Sequence, residues 1–160
     1  MSGNNYLLLV EDDLSLVEMV RHVLADEDSS IRIVHIQDGA EALDYLHARD
    51  KFQDREPFNP AVILLDLKMP KVDGLEVLRQ VKGDAQLKTI PVVILTSSKN
   101  AGDVLKAYEL GANAYVAKPL DFQRFIAAIK QLVTFWMTVN QPPYPASQKM
   151  AAAPLAAVKT

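Results

Sequence analysis

Glu11 and Asp12 follow the apolar run at 6–10, Asp66 follows that at 61–65, Thr96 closes the region at 90–95, and Lys118 follows the weaker run at 113–117. If these runs are strands of one parallel sheet, their carboxyl ends share an edge, and ligands bind at that edge where the connections change direction. Three carboxylates gathered there repel one another, so without a counter-charge at least one would take up a proton. A cation is therefore expected. Oxygen ligands with no Cys in the chain and no His beside them favour Mg²⁺, with Mn²⁺ as the alternative. Lys118 adds a positive charge able to pair with Asp66 or with a phosphoryl oxygen, and the Thr96 hydroxyl can hydrogen-bond that same oxygen. The chemistry this combination suits is attack by a carboxylate on phosphorus, giving an acyl phosphate, with metal and lysine neutralising charge on the transferring group. Asp66 is the natural nucleophile. Taken singly, Asp12 or Asp13 reads more simply as a helix cap; the recurrence of charged strand ends in several connections is what argues for a site.

The elements that must position these residues are legible. The runs at 6–10, 31–36, 61–65, 90–95 and 113–117 read as strands by their β-branched content. The third and fourth are apolar almost throughout, as strands covered on both faces are. Between them lie stretches with helical spacing, first Leu16, Val17, Val20, Val23 and Leu24, a single stripe. Asp38 with Glu41, and Asp73 with Glu76, have the spacing of an N-cap and its third-position acid, so each opens a helix. Val104, Leu105 and Tyr108 form the apolar face expected of a fourth helix ending at Gly111. Phe122, Phe125, Ile126, Ile129, Leu132, Val133 and Trp136 line a fifth, expected to end near Asn140. The fold class is α/β: a doubly wound, five-stranded parallel sheet of flavodoxin-like order 2-1-3-4-5 with five helices.

At 160 residues and 49% hydrophobic content the chain suits one domain, set at 6–139, with residues 140–160 a flexible Pro/Ala-rich tail. Residues 48–60, charged and ending in prolines, read as a long surface connection. With no cysteine, no disulfide holds the fold, in keeping with a reducing cytoplasm. The opening apolar run is too short for a signal peptide or membrane span, and a net charge of -3 lacks the basic footprint of direct DNA binding.

Together, Val10-Glu11-Asp12-Asp13, Leu65-Asp66-Leu67-Lys68-Met69-Pro70, Asp73-Gly74, Leu95-Thr96-Ser97-Ser98, Gly111-Ala112 and Lys118-Pro119 resemble the receiver domain of two-component response regulators, over residues 6–137. The resemblance implies that Asp66 accepts a phosphoryl group from a sensor histidine kinase. It implies that Asp12, Asp66 and the backbone carbonyl of Lys68 ligate the metal, with Glu11 supporting. Thr96 and Lys118 would contact the phosphoryl group, Tyr115 would be an aromatic switch, and the Lys118–Pro119 bond would be cis. Ile90-Pro91-Val92-Val93, Asp103-Val104, Tyr108 to Asn113 and Phe135-Trp136-Met137 resemble the small regulators associated with bacterial phytochromes. That narrower likeness implies a light-sensing kinase as donor and a homodimer through the face of helix four, strand five and helix five.

Phe135, Trp136 and Met137 are consecutive, so a helix cannot turn all three inward; one is expected in the core and another exposed, as a candidate interface. His22, His35 and His47 lie in separate elements without metal spacing. An aspartate-dependent phosphatase would want a second acid two residues after the nucleophile, where this chain has Lys68. A flavin-binding module would want a hydroxyl- and glycine-rich loop after strand one, where Glu11, Asp12 and Asp13 would repel phosphate. Neither a turnover enzyme nor a flavoprotein is expected. The remaining rival is a phosphorylation-independent pseudo-receiver that acts by binding alone.

Overall fold

The computed structural model describes residues 5–27 and 30–143. In chain order the elements are β1 (Tyr6–Val10), α1 (Leu14–Glu27), β2 (Arg32–Ile36), α2 (Gly39–Leu46), β3 (Val62–Leu65), α3 (Gly74–Gly83), β4 (Val92–Thr96), α4 (Ala101–Glu109), β5 (Ala114–Ala117) and α5 (Phe122–Thr134). The five strands form one parallel sheet in the order β2-β1-β3-β4-β5, as expected.

Alternation along the buried strands divides the core into two layers. Leu8, Val10, Ile63, Leu65, Val92 and Ile94 face α2 and α3, meeting Ala42, Leu46, Val77, Leu78 and Val81. Leu7, Leu9, Val62, Leu64, Val93 and Leu95 face α1 and α5, meeting Val17, Val20, Leu24, Phe125, Ile129 and Val133. A strand buried on both faces must be apolar at every position; β1 and β3 are so throughout, and β4 until its last residue, Thr96.

Local signals set most helix starts. Asp38 accepts a hydrogen bond from the Glu41 amide at 2.8 Å and Asp73 one from the Glu76 amide at 3.0 Å, the two caps expected from their spacing. Asn100 and Asp121 cap α4 and α5 in the same way. Residues 48–60 contain a single 3₁₀ turn, Asp50–Phe52, and are tied to the body by Arg55. Its guanidinium stacks over Tyr45 and donates to the carbonyl oxygens of Tyr45, Leu46 and Phe58.

Helix α4 forms where expected and stops before Gly111, which holds a positive φ of 104°, but its apolar face lies at the surface. The Val104, Leu105 and Tyr108 face does not enter the core; Leu105 is 61% and Tyr108 50% exposed, and the only buried side chain of the helix is Ala107. A small residue lets α4 lie close to the sheet, which leaves its apolar stripe on the surface. The aromatic end of the chain behaves as the geometry of consecutive helical residues requires. After α5 the backbone widens into a π-turn, Phe135–Val139, with Met137 buried and Phe135 46% exposed. Asn140 caps that turn, and most of the region 140–160 expected to be a flexible tail lies outside the described residues. No helix among the described residues is long and apolar enough to cross a membrane.

This division of the chain is measurable by urea unfolding. Ile94→Ala, in the sheet centre, should cost about 2–5 kcal/mol, whereas Leu105→Ala should stay within about 0.5 kcal/mol of the parent.

Candidate functional site

Strand register carries the polar residues to one edge. Val10 pairs with Leu65, Leu65 with Ile94, and Thr96 with Ala117. The ladder continues one residue past the strands: the Asp66 amide donates to the Val10 carbonyl at 3.1 Å and the Lys118 amide to the Thr96 carbonyl at 2.7 Å. The backbones of Asp66 and Lys118 are therefore fixed by the sheet itself. Glu11 is fixed likewise, its amide donating to the Ile36 carbonyl at 3.0 Å, while His35 Nε2 donates to the Glu11 carbonyl at 2.7 Å. Since a carbonyl only accepts, the Nε2 of His35 carries the proton in this contact.

Behind Asp66 the chain turns through Met69-Pro70 and returns at Gly74, whose amide donates to the Leu67 carbonyl at 2.9 Å. A Cβ on Gly74 would stand 2.2 Å from the Asp66 carbonyl oxygen, so only glycine allows α3 to begin this close to the buried acid.

The consecutive acids after β1 divide their labour. Asp13 caps α1, accepting from the Ser15 amide at 3.0 Å. Asp12 is exposed at the rim, and Glu11 is buried, accepting from the Asp13 amide at 3.1 Å. One carboxylate oxygen from each of Glu11, Asp12 and Asp66 falls within 4.8 Å of the others. Against them stands Lys118, its Nζ 2.7 Å from Glu11 Oε1 and 3.5 Å from Asp66 Oδ2. The lysine thus lies closer to Glu11 than to Asp66. Burial pushes Glu11 up to about 7, against the pull of the Lys118 hydrogen bond and with the Asp66 charge adding to the rise. Three acids facing one ammonium leave an excess of negative charge, and the all-oxygen donor set fits a hard divalent cation.

Thr96, wholly buried, ends β4 beside β3, and its Oγ1 accepts from the Ser98 amide at 3.4 Å. Tyr115 is half-buried and donates its hydroxyl to the Ser98 carbonyl at 2.9 Å. Ser98 in turn donates its own hydroxyl to Asp103 Oδ2 at 2.6 Å, and Lys68 Nζ stands 3.8 Å from the same oxygen. Ser98 and Asp103 were not assigned roles by spacing. A Thr-Ser-Ser run entering a helix was the available signal, but it reads as caps. An open cleft of about 360 Å³ lies between these elements, lined by Asp12, Lys68, Met69, Asp73 and Asp103 among others. Lys118–Pro119 is trans, as is every described peptide bond, which corrects the expected cis form. The trans isomer is the more stable of an X–Pro bond by roughly 0.5–1 kcal/mol.

The chain is a doubly wound α/β domain whose carboxyl edge carries an acidic pocket able to hold a divalent cation, with Lys118 against the central acid and Thr96 ending the neighbouring strand. The response regulator receiver domain model matches residues 7–130, and the chain belongs to that family. It is 36% identical over 137 residues to the response regulator Rcp1 of Synechocystis sp., covering 85% of this chain and 92% of that one. The Mn²⁺-bound form of Rcp1 superposes with a TM-score of 0.82 at 34% identity, covering 88% of this chain and 99% of the other. The phosphorylated cyanobacterial phytochrome response regulator RcpA gives 0.83 with the same identity and coverage. The bacteriophytochrome response regulator RtBRR is 53% identical with a TM-score of 0.69, covering 89% of this chain and 86% of that one. Phosphorylation and kinase signalling are typical of this family, whose receiver domains are not turnover enzymes.

The crowded acids have a cost in stability. Asp66→Asn should raise the unfolding free energy in EDTA by about 1 kcal/mol by relieving repulsion within the cluster. Saturating Mg²⁺ should erase that gain, as read by urea titration with and without the ion.

Proposed function

We propose that Asp66 is the phosphoacceptor and that Glu11, Asp12, Thr96 and Lys118 serve it. The single observation that carries this reading is the buried Asp66 carboxylate held between two further acids and the Lys118 ammonium. In the proposed step an Asp66 oxygen attacks phosphorus while the bond from phosphorus to the donor imidazole breaks, and the imidazole keeps that electron pair. Asp12, Asp66 and the Lys68 carbonyl, with Glu11 in support, would hold Mg²⁺, whose charge would neutralise the transferring oxygens. Lys118 then exchanges a carboxylate for a phosphoryl oxygen, and Thr96 donates its hydroxyl to another. Because Tyr115 and Asp103 both hold Ser98, movement of Thr96 is transmitted to the start of α4.

The donor in this reading is a sensor histidine kinase, and the likeness to RcpA and RtBRR favours a bacteriophytochrome working in the cytoplasm. Exposed Leu120 and Phe122 line a cleft with Lys118 and suit an apolar kinase helix, and Leu14 at the start of α1 is exposed as well. Output runs through the α4, β5 and α5 face. There Leu105, Tyr108 and Phe135 are exposed, and a shallow apolar cleft lies between Ala114, Val116, Leu132 and Trp136. A second copy of the chain is the occupant we assign to it, with Phe135 and Trp136 lining it and no role for DNA; Met137, expected at the same interface, is instead buried in the core.

Incubation with a small phosphodonor and Mg²⁺ should add one phosphoryl mass to the intact protein, and none to Asp66→Asn; a parent that stays unmodified would favour the pseudo-receiver. Phe135→Asp should lower the sedimentation-determined mass to that of a monomer without changing the phosphorylation rate. A dimer that survives the change would move the interface elsewhere.

A further inference from the structure

Lys71 and Asp38 lie outside the acidic pocket, on the loop after Asp66 and at the start of α2. Lys71 holds a positive φ of 67°, a conformation in which a residue with a Cβ is uncommon. In this conformation its Nζ reaches 3.3 Å from Asp38 Oδ2, whose side chain is almost wholly buried. Burial raises the Asp38 pKa, but the Glu41 amide and the Lys71 ammonium outweigh it and hold the carboxyl below its ordinary range. Immediately beside this pair the loop backbone abuts the helix: a Cβ on Gly39 would lie 1.9 Å from the Val72 carbonyl oxygen. The loop of 67–73 is thus closed at its base by Gly74 on Leu67 and docked along its far side on α2.

We infer that the Lys71–Asp38 ion pair positions the loop that presents the Lys68 carbonyl to the cation, making both side chains positioning residues for metal affinity. This rests on the proposed ligand set, in which that carbonyl is the third protein oxygen. Cation binding demands near-ideal octahedral placement of its oxygens, and a carbonyl on a loop is placed only as well as the loop is held. A buried carboxylate opposite a lysine in an unusual backbone conformation holds it from the side that the sheet does not reach. The pair is one residue short of Val72 and three beyond Lys68, so slack at Lys71 is transmitted directly to the ligand.

Charge alone and positioning make opposite forecasts. Asp38→Asn keeps the cap oxygen and Lys71→Met keeps the bulk and backbone preference, so both should fold with melting temperatures near the parent's. By long-range electrostatics, loss of the acid would weaken Mg²⁺ binding and loss of the lysine would strengthen it. By positioning, both weaken it, by roughly tenfold each, and the double variant is no worse than either single one. Calorimetric titration of each protein with MgCl₂ decides the matter, with Asp12→Asn as the control. Shifts of opposite sign, or none, while Asp12→Asn abolishes binding would overturn the tie and leave the ligand set standing. Binding by the parent that is indifferent to Asp12→Asn would overturn both.

Discussion

A single ammonium group, that of Lys118, stands between two buried carboxylates, and the architecture around it exists to keep that imbalance in place. Nζ lies 2.7 Å from Glu11 and 3.5 Å from Asp66, so one lysine is shared by two buried acids. Acids under-compensated by one shared ammonium are poised to accept further positive charge. In the proposed reading a divalent ion would relieve the excess of negative charge, and a phosphoryl group would then offer the lysine a competing partner. Each of the three acids has a separate means of staying put: Glu11 by backbone bonds to β2, Asp66 by the ladder with β1, and Asp12 by Asp13 anchoring α1 behind it.

The sheet supplies the rigidity that such a site needs. Strands apolar on both faces and sealed by helices hold their carboxyl ends level, and the polar residues begin where that packing stops. The proposed output face belongs to the less firmly packed half of the molecule. Helix α4 meets the core through Ala107 alone, and β5 is a half-buried edge strand, so this side can shift without opening the core. Ser98 joins the two regimes, held by Tyr115 from β5 and by Asp103 from α4.

Most of the fold was legible because its signals are local. Apolar runs and the Asp-to-Glu spacing at Asp38 and Asp73 act over a few residues, and the strand order followed from them with a general rule of parallel sheets. The composition of the site was legible for the same reason, since each acid sits at a strand end. What could not be read was pairing between distant segments. That Lys118 reaches Glu11 more closely than Asp66 depends on side-chain reach across two strands, and that Lys71 meets Asp38 depends on a left-handed backbone that no residue type announces. The spacing shows that α4 is a helix with an apolar face but not where that face lies, since here the small Ala107 is what the sheet admits. The geometry of Lys118–Pro119 came from family likeness alone, and the trans bond departs from it.

The central claim is that Lys118 changes partner when a phosphoryl group arrives at Asp66. A crystal structure with Mg²⁺ and beryllofluoride, which mimics the phosphoryl group on a carboxylate, tests it most directly. The account predicts beryllium bonded to an Asp66 oxygen, the metal between Asp12, Asp66 and the Lys68 carbonyl, and Lys118 Nζ moved from Glu11 Oε1 to a fluorine. A Lys118 that keeps its contact with Glu11 while beryllofluoride occupies Asp66 would contradict it.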